Sequence, residues 1–284
     1  MSKAPLARRF HFAGVMSCLA LALAWSACAR AQPARCDIGP ANAAARNAVS
    51  LETLAWSPFG RSETGWAIYE PLIAREIGAA CPPASPAFAG ALARWQTRVG
   101  LPGSGIIDVA SFSRLKRIWQ DRRPFVAASH LACPAPPAET SLARARVTES
   151  YGGKAIWLRP RALGAYRAMI ASARAQSPAV AADPRLLTIF SAYRSPAYDD
   201  ARCAREANCQ GVVRASCSAH RTGLAVDLFL GAAPGFGPDA SADSNRLAIS
   251  QGPAYAWLVR NADRFGFVNY PFEPWHWEWV GEKP

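Results

Sequence analysis

The stretch SCSAHRTGLAVDL, Ser216 to Leu228, is answered near the C-terminus by EPWHWEW, Glu273 to Trp279. Together they hold two imidazoles, a carboxylate and a further glutamate. A zinc ion bound as His/Asp/His keeps one coordination position open for water, as catalytic zinc needs and structural zinc avoids. The candidate ligands are His220, Asp227 and His276, with Glu273 as the proton acceptor.

The spacing gives these residues a local geometry. Across Gly223 to Leu230 the pattern alternates, so Ala225, Asp227 and Phe229 share one side of an expected strand, with Leu224, Val226 and Leu228 on the other. Small Ala225 beside Asp227 leaves room for a metal. His220 lies upstream of Gly223, where a glycine permits the change of direction that lets His220 and Asp227 converge. In the second stretch Trp275, Trp277 and Trp279 alternate with His276 and Glu278, again as in a strand. Glu278 is read either as a hydrogen-bond partner behind the site or as solvent-facing.

Any one of these residues alone reads as an ordinary surface or hydrogen-bonded group. The combination is more specific: of four histidines, His11 falls in an expected leader, and two of the other three lie in these motifs. The pattern S-x-H-x-x-G-x-A-x-D, Ser218 to Asp227, followed by E-x-W-H, Glu273 to His276, resembles the zinc D-alanyl-D-alanine peptidases of the vancomycin-resistance carboxypeptidase type. These share a structural group with lysostaphin-type peptidases and the hedgehog signalling domain. The resemblance runs from about residue 142 to 284. It implies Zn2+ on His220, Asp227 and His276, and Glu273 as the catalytic base. Ser191 to Ser195 is similar to the family's G-Y-R-S segment, with Ser-Ala in place of the usual lead-in, which makes Arg194 a substrate-binding candidate. Ser218 is a second. The implied fold class is α+β, a small antiparallel sheet flanked by helices.

Lys3, Arg8 and Arg9 precede an apolar run, Phe12 to Ala29, that closes on Ala29-Arg30-Ala31. Residues 1–31 thus read as a secretory signal peptide, with an uncleaved anchor as the alternative. Trp25 stands where a lipid-attachment pattern expects a small aliphatic residue, which argues against lipidation at Cys28. Removing this leader leaves 28 cations against 20 anions, a balance of +8 instead of +12. A basic exported protein suits an anionic wall polymer, although the balance mainly reports solubility. No basic run interleaved with aromatics points to nucleic acid, and no glycine loop to a nucleotide. The expected location is secreted or periplasmic, with no membrane contact after leader removal.

Residues 133 to 140, CPAPPAET, form a Pro-rich connector within a linker assigned to 126–141. Ahead of it, 36–125 reads as helical, with helices at 41 to 56 and 64 to 80, Pro71 kinking or restarting the second. Ser85-Pro86 opens a third, which carries Phe88, Leu92, Trp95 and Val99 on one face. Asp108 caps a last helix carrying Phe112, Leu115 and Trp119. These aromatics read as core rather than as a sugar platform. The order Arg94-Trp95-Gln96, Gly100-Leu101-Pro102, Asp108 resembles the small three-helix peptidoglycan-binding-like domain, which implies wall targeting.

Outside the expected leader stand Cys36, Cys81, Cys133, Cys203, Cys209 and Cys217, an even number that argues for disulfides in an oxidising compartment. Six cysteines allow fifteen connectivities, and the sequence leaves the choice open. One candidate set pairs Cys36 with Cys81 if the first two helices run antiparallel, and Cys203 with Cys209 locally, leaving Cys133 with Cys217. Zinc ligation by some of them is a competing reading. In 142–284, Pro160 opens a helix bearing Leu163, Tyr166, Met169 and Ile170. Leu186 to Tyr193 reads as a strand, Gly231 to Asn245 as a loop and Pro253 to Phe265 as a helix. The expected function is hydrolysis of the terminal D-Ala-D-Ala bond of peptidoglycan stem peptides. An endopeptidase on the same scaffold and a non-catalytic zinc-containing wall-binding module stand as alternatives.

Overall fold

The computed structural model describes residues 1, 35–130, 132–206, 209 and 217–284. The expected signal peptide, beyond its first residue, lies outside them. Among the described residues no helix is long and apolar enough to cross a membrane.

The segment Ala34–Pro284 folds as one compact unit built over two apolar cores. The first core belongs to helices α1 (Ala41–Thr53), α2 (Glu70–Ile77), α3 (Pro86–Arg98) and α4 (Val109–Asp121), with a short ribbon of β1 (Ala55–Trp56) and β2 (Glu63–Thr64). Phe88, Leu92, Trp95, Phe112, Leu115 and Trp119 are all buried in it, so they form core and no sugar platform. Ser85 accepts from the Phe88 N–H at 3.2 Å, and Asp108 from the Ser111 N–H at 2.7 Å, which are the two caps expected for α3 and α4. Pro71 restarts the chain: it lies in the first turn of α2, after a 3₁₀ turn at Ala67–Tyr69. The expected helix over 64 to 80 is therefore a strand, a turn and a shorter helix. Gly65, with φ +73°, sits against the backbone of Leu51 and Glu52, and the sharp turn there ends any continuous helix.

After α5 (Pro124–Ala128) the chain enters the second core. Its elements are β3 (Ala143–Arg144), β4 (Trp157–Leu158), α6 (Pro160–Gln176), α7 (Pro178–Ala182), β5 (Ile189–Ser191), α8 (Pro196–Arg205), β6 (Ala225–Leu228), α9 (Asp243–Ser250), α10 (Pro253–Asn261), β7 (Phe267–Asn269) and β8 (His276–Trp279). Four strands form an antiparallel sheet in the order β5-β6-β8-β7, so the class is α+β. Leu163, Tyr166, Met169 and Ile170 of α6 are buried against this sheet, as the helical spacing predicts.

Two further expectations are corrected. The strand expected over Leu186 to Tyr193 is confined to Ile189–Ser191, because Leu187 adopts φ +68° and turns the backbone out of extended geometry. The loop expected from Gly231 to Asn245 ends at α9, whose buried face carries Asn245, Arg246, Ile249 and Ser250. A helix that buries mostly polar side chains shows no apolar period in the sequence.

A buried ionic cluster ties α9 to the helical segment. Arg246, fully buried, lies 3.1 Å from Glu63 Oε1, donates to the Tyr69 hydroxyl at 2.6 Å and to the Phe272 carbonyl at 2.9 Å. Tyr69 in turn donates to Glu63 at 2.6 Å. Disulfides join Cys36 to Cys81, Cys133 to Cys217 and Cys203 to Cys209, the candidate set among the fifteen that the sequence left open.

Candidate metal centre

The centre is built on the β6–β8 pair. Asp227 lies directly opposite His276, and Ala225 opposite Glu278. The two-residue period of a strand then puts all four side chains on one face of the sheet. His220 arrives from a 3₁₀ turn, Ala219–Thr222, that ends at Gly223 with φ +69°. Any side chain at Gly223 would be strained by that backbone and pressed on Leu142 and Arg159, so glycine makes the turn that returns the chain to β6. Ser218 caps the turn, its hydroxyl accepting from the His220 N–H at 3.2 Å.

His220, Asp227 and His276 are buried, and each offers a ligand atom within 4.8 Å of the others. Nε2 of His220 lies 3.1 Å from Asp227 Oδ2, and Nδ1 of His276 lies 2.9 Å from Asp227 Oδ1. Glu273 Oε2 stands 3.9 Å from the same His276 nitrogen. Arg194, Ser218 and these four residues line one cleft.

The donor chemistry tests whether a cation fits. Nδ1 of His220 lies 2.7 Å from the Ala192 carbonyl, which can only accept, so Nδ1 carries the proton. Burial, and after it the charge of Arg194, push His220 down to about 4, leaving the ring neutral near pH 7. Its Nε2 lone pair then faces a carboxylate oxygen in a buried site. A cation relieves that opposition, and two imidazoles with one carboxylate are the donors zinc prefers.

The surroundings hold these donors in place. Burial works to lower His276, but hydrogen bonds to Asp227 and Glu278 raise it to about 9. Burial works to raise Asp227, but the charged His276, bonded to its Oδ1, outweighs that effect and drives the carboxyl far down. Glu278 is 1 % exposed, which rules out the solvent-facing reading. Its Oε1 lies 3.4 Å from His276 Nε2. Burial raises Glu278, yet Arg123 and His276 bring it down to about 2. Glu273 contrasts with it: burial, helped by the charge of Asp227 and opposed by His276, pushes its carboxyl up to about 7. A divalent cation beside it pulls that value down again.

Arg194 is anchored on three sides. Its Nε donates to Asp199 at 2.6 Å, Nη1 to Ser191 at 2.7 Å and Nη2 to Ser218 at 3.0 Å. A guanidinium carries five N–H groups, so one remains on each terminal nitrogen. Ser218 thus meets both Arg194 and the turn that carries His220.

Sequence reading missed Arg123 and Tyr270, which also line the cleft. Arg123 lies over the Tyr270 ring at 4.1 Å from its centroid. Arg123 belongs to Arg122-Arg123-Pro124, a stretch that reads only as the end of α4, and no local signal marks it.

Residues 155–282 match the family model described as VanY, D-alanyl-D-alanine carboxypeptidase. No curated protein matches the chain. Two solved structures are similar. One is a mutant of the vancomycin resistance D,D-pentapeptidase VanY from a VanB-type resistance cassette in complex with Zn(II), at 20% identity and TM-score 0.33, over 52% of this chain and 83% of that one. The other is VanYB in complex with D-alanine-D-alanine, at 22% identity and TM-score 0.31, over 51% of this chain and 82% of that one. By the family match, residues 155–282 are a domain of the D-alanyl-D-alanine carboxypeptidase family.

Proposed function

We propose that this protein is an exported zinc D,D-carboxypeptidase that removes the terminal D-alanine from peptidoglycan stem peptides. The observation that carries the reading is Glu273, an unligated carboxyl 3.9 Å from His276 in the cleft where His220, Asp227 and His276 converge. A purely structural metal site has no use for such a group. His220, Asp227 and His276 hold the zinc, which when bound supplies Lewis acidity at the scissile carbonyl.

The remaining steps belong to the chain. Glu273 takes a proton from the attacking water and returns it to the leaving amine, a role that suits a carboxyl held within reach of the ligands. The two spare N–H groups of Arg194 receive the terminal carboxylate of the substrate, and Ser218 keeps the guanidinium in its place. A requirement for that carboxylate selects the last peptide bond over an internal one. The helical segment 36–125 is read as a wall-targeting domain on the Gly100-Leu101-Pro102 and Asp108 pattern, with 126–141 as its connector. Export is supported by the leader pattern and by the three disulfides.

The test is release of D-alanine from a purified muropeptide pentapeptide by wild type, chelated wild type and Glu273→Ala. Metal-dependent release of one D-alanine, lost in the variant, is expected. Cleavage elsewhere in the stem makes the protein an endopeptidase, and binding to wall material without any cleavage makes it a binding module.

A further inference from the structure

The metal ligand His276 is braced from outside the carboxypeptidase domain. Glu278, on the same face of β8, is buried, and an unpaired carboxylate there would carry a heavy desolvation cost. Its partners come from a segment more than 150 residues upstream. Arg123 donates from Nε to Oε1 at 2.7 Å, with Nη2 2.5 Å from the same oxygen, and the Phe125 backbone N–H donates to Oε2 at 3.1 Å. Arg123 is itself steadied by Gln120, which accepts from Nη1 at 2.6 Å, and by the Tyr270 ring beneath it. Tyr270 donates its backbone N–H to the His276 carbonyl at 3.0 Å. Both oxygens of Glu278 are therefore fixed, and Oε1 is aimed at Nε2 of His276 while Nδ1 points to Asp227.

A ligating imidazole is oriented by what its other nitrogen bonds. We infer that Arg123, with the Phe125 N–H, is a positioning residue for metal binding: it locks Glu278, which holds His276 with Nδ1 turned toward the ligand cluster. The carboxypeptidase motif residues alone do not complete the site, because the end of α4 and the start of α5 supply the outer half of this relay. This inference rests on the zinc reading above.

The experiment measures zinc affinity by chelator competition on the full chain with its disulfides intact, for wild type, Arg123→Met, Arg123→Lys, Glu278→Gln and the double variant Arg123→Met/Glu278→Gln. Arg122→Met serves as the control, since Arg122 bonds Glu76 on the helical side. Arg123→Met is expected to weaken zinc binding by about 10–100-fold, the usual cost of losing an outer partner of a ligand. Arg123→Lys recovers part of the loss, the double variant is no worse than the poorer single one, and Arg122→Met changes nothing. A zinc affinity for Arg123→Met within twofold of wild type, with only the thermal midpoint of the metal-free protein lowered, would make the residue merely structural and overturn the inference. Should Arg123→Met not fold, Glu278→Gln and Arg123→Lys read the same contact by the same criterion. Absence of zinc binding by wild type overturns the zinc reading and this inference together, whereas tight wild-type binding that the variants leave unchanged overturns the inference alone.

Discussion

Asp227 bridges the two histidines: its Oδ1 meets Nδ1 of His276, its direct partner across β6–β8, at 2.9 Å, and its Oδ2 meets Nε2 of His220 at 3.1 Å. One carboxylate thus sets the spacing of all three donors. Asp227→Asn replaces one oxygen with an NH₂ donor and removes the negative charge. Zinc content after purification, measured by elemental analysis, is expected to fall from one ion per chain to a trace, with affinity lost beyond the ~100-fold upper range for an outer partner. A full complement of tightly held zinc in this variant would contradict the ligand assignment.

Glu273 is the position at which metal binding and chemistry are expected to separate. Glu273→Gln keeps the shape of the side chain but cannot take a proton. It is expected to bind zinc as wild type does while D-alanine release falls by about 10²–10⁴-fold, the usual contribution of a general base. Loss of zinc in parallel with activity would move Glu273 into the ligand set.

Arg246 joins α9 to the helical segment through Glu63 and Tyr69, all buried. Removing one partner from such a cluster leaves an uncompensated charge inside the protein, which costs about 3–5 kcal/mol. Arg246→Met should shift the urea midpoint accordingly, and Glu63→Gln by a similar amount. A change of a few tenths would show that water reaches the cluster.

The disulfides differ in reach. Cys133–Cys217 closes a sequence separation of 84 residues and Cys203–Cys209 one of 6. In the chain-entropy account, replacing the first pair by serine costs about 2 kcal/mol more than replacing the second. Calorimetry on the two double-serine variants ranks them, and equal midpoints would reject that account here.

Glu149 gives the acid limb of stability a named contributor. Burial tends to raise its carboxyl, but bonds from Arg167 at 2.7 and 3.0 Å and from the Arg146 N–H at 2.7 Å outweigh burial and hold it below its usual 4.5. A depressed folded value stabilises above the unfolded one, and the benefit is lost as pH falls through the folded value. The stability gap between wild type and Glu149→Gln should therefore be full at pH 6–7 and close progressively below about 4.5. A gap that widens in acid would reverse the assignment.

Much of the site was legible locally. The period of two along Ala225 to Leu228 and His276 to Trp279 put Asp227 and His276 on usable faces, and Gly223 marked the turn that brings in His220. The caps at Ser85 and Asp108 were equally plain, because capping is written within three residues. The strand at Leu186 to Tyr193 and the helix α9 were misjudged for a common reason. Leu187 takes a left-handed backbone that its side chain does not advertise, and α9 buries Arg246 and Asn245, whose partners lie in distant segments.

The sequence by itself carried the candidate donor set in two short motifs, implied the α+β class through the family those motifs resemble, and offered one pairing of the cysteines among fifteen. Only the tertiary structure decided that Glu278 is buried, that Arg194 is already bonded on three sides and that Arg123 reaches Glu278 behind the candidate metal ligands. Those facts depend on contacts between segments up to 155 residues apart, and nothing in a residue's neighbours along the chain records which distant group will neutralise its charge once water is excluded.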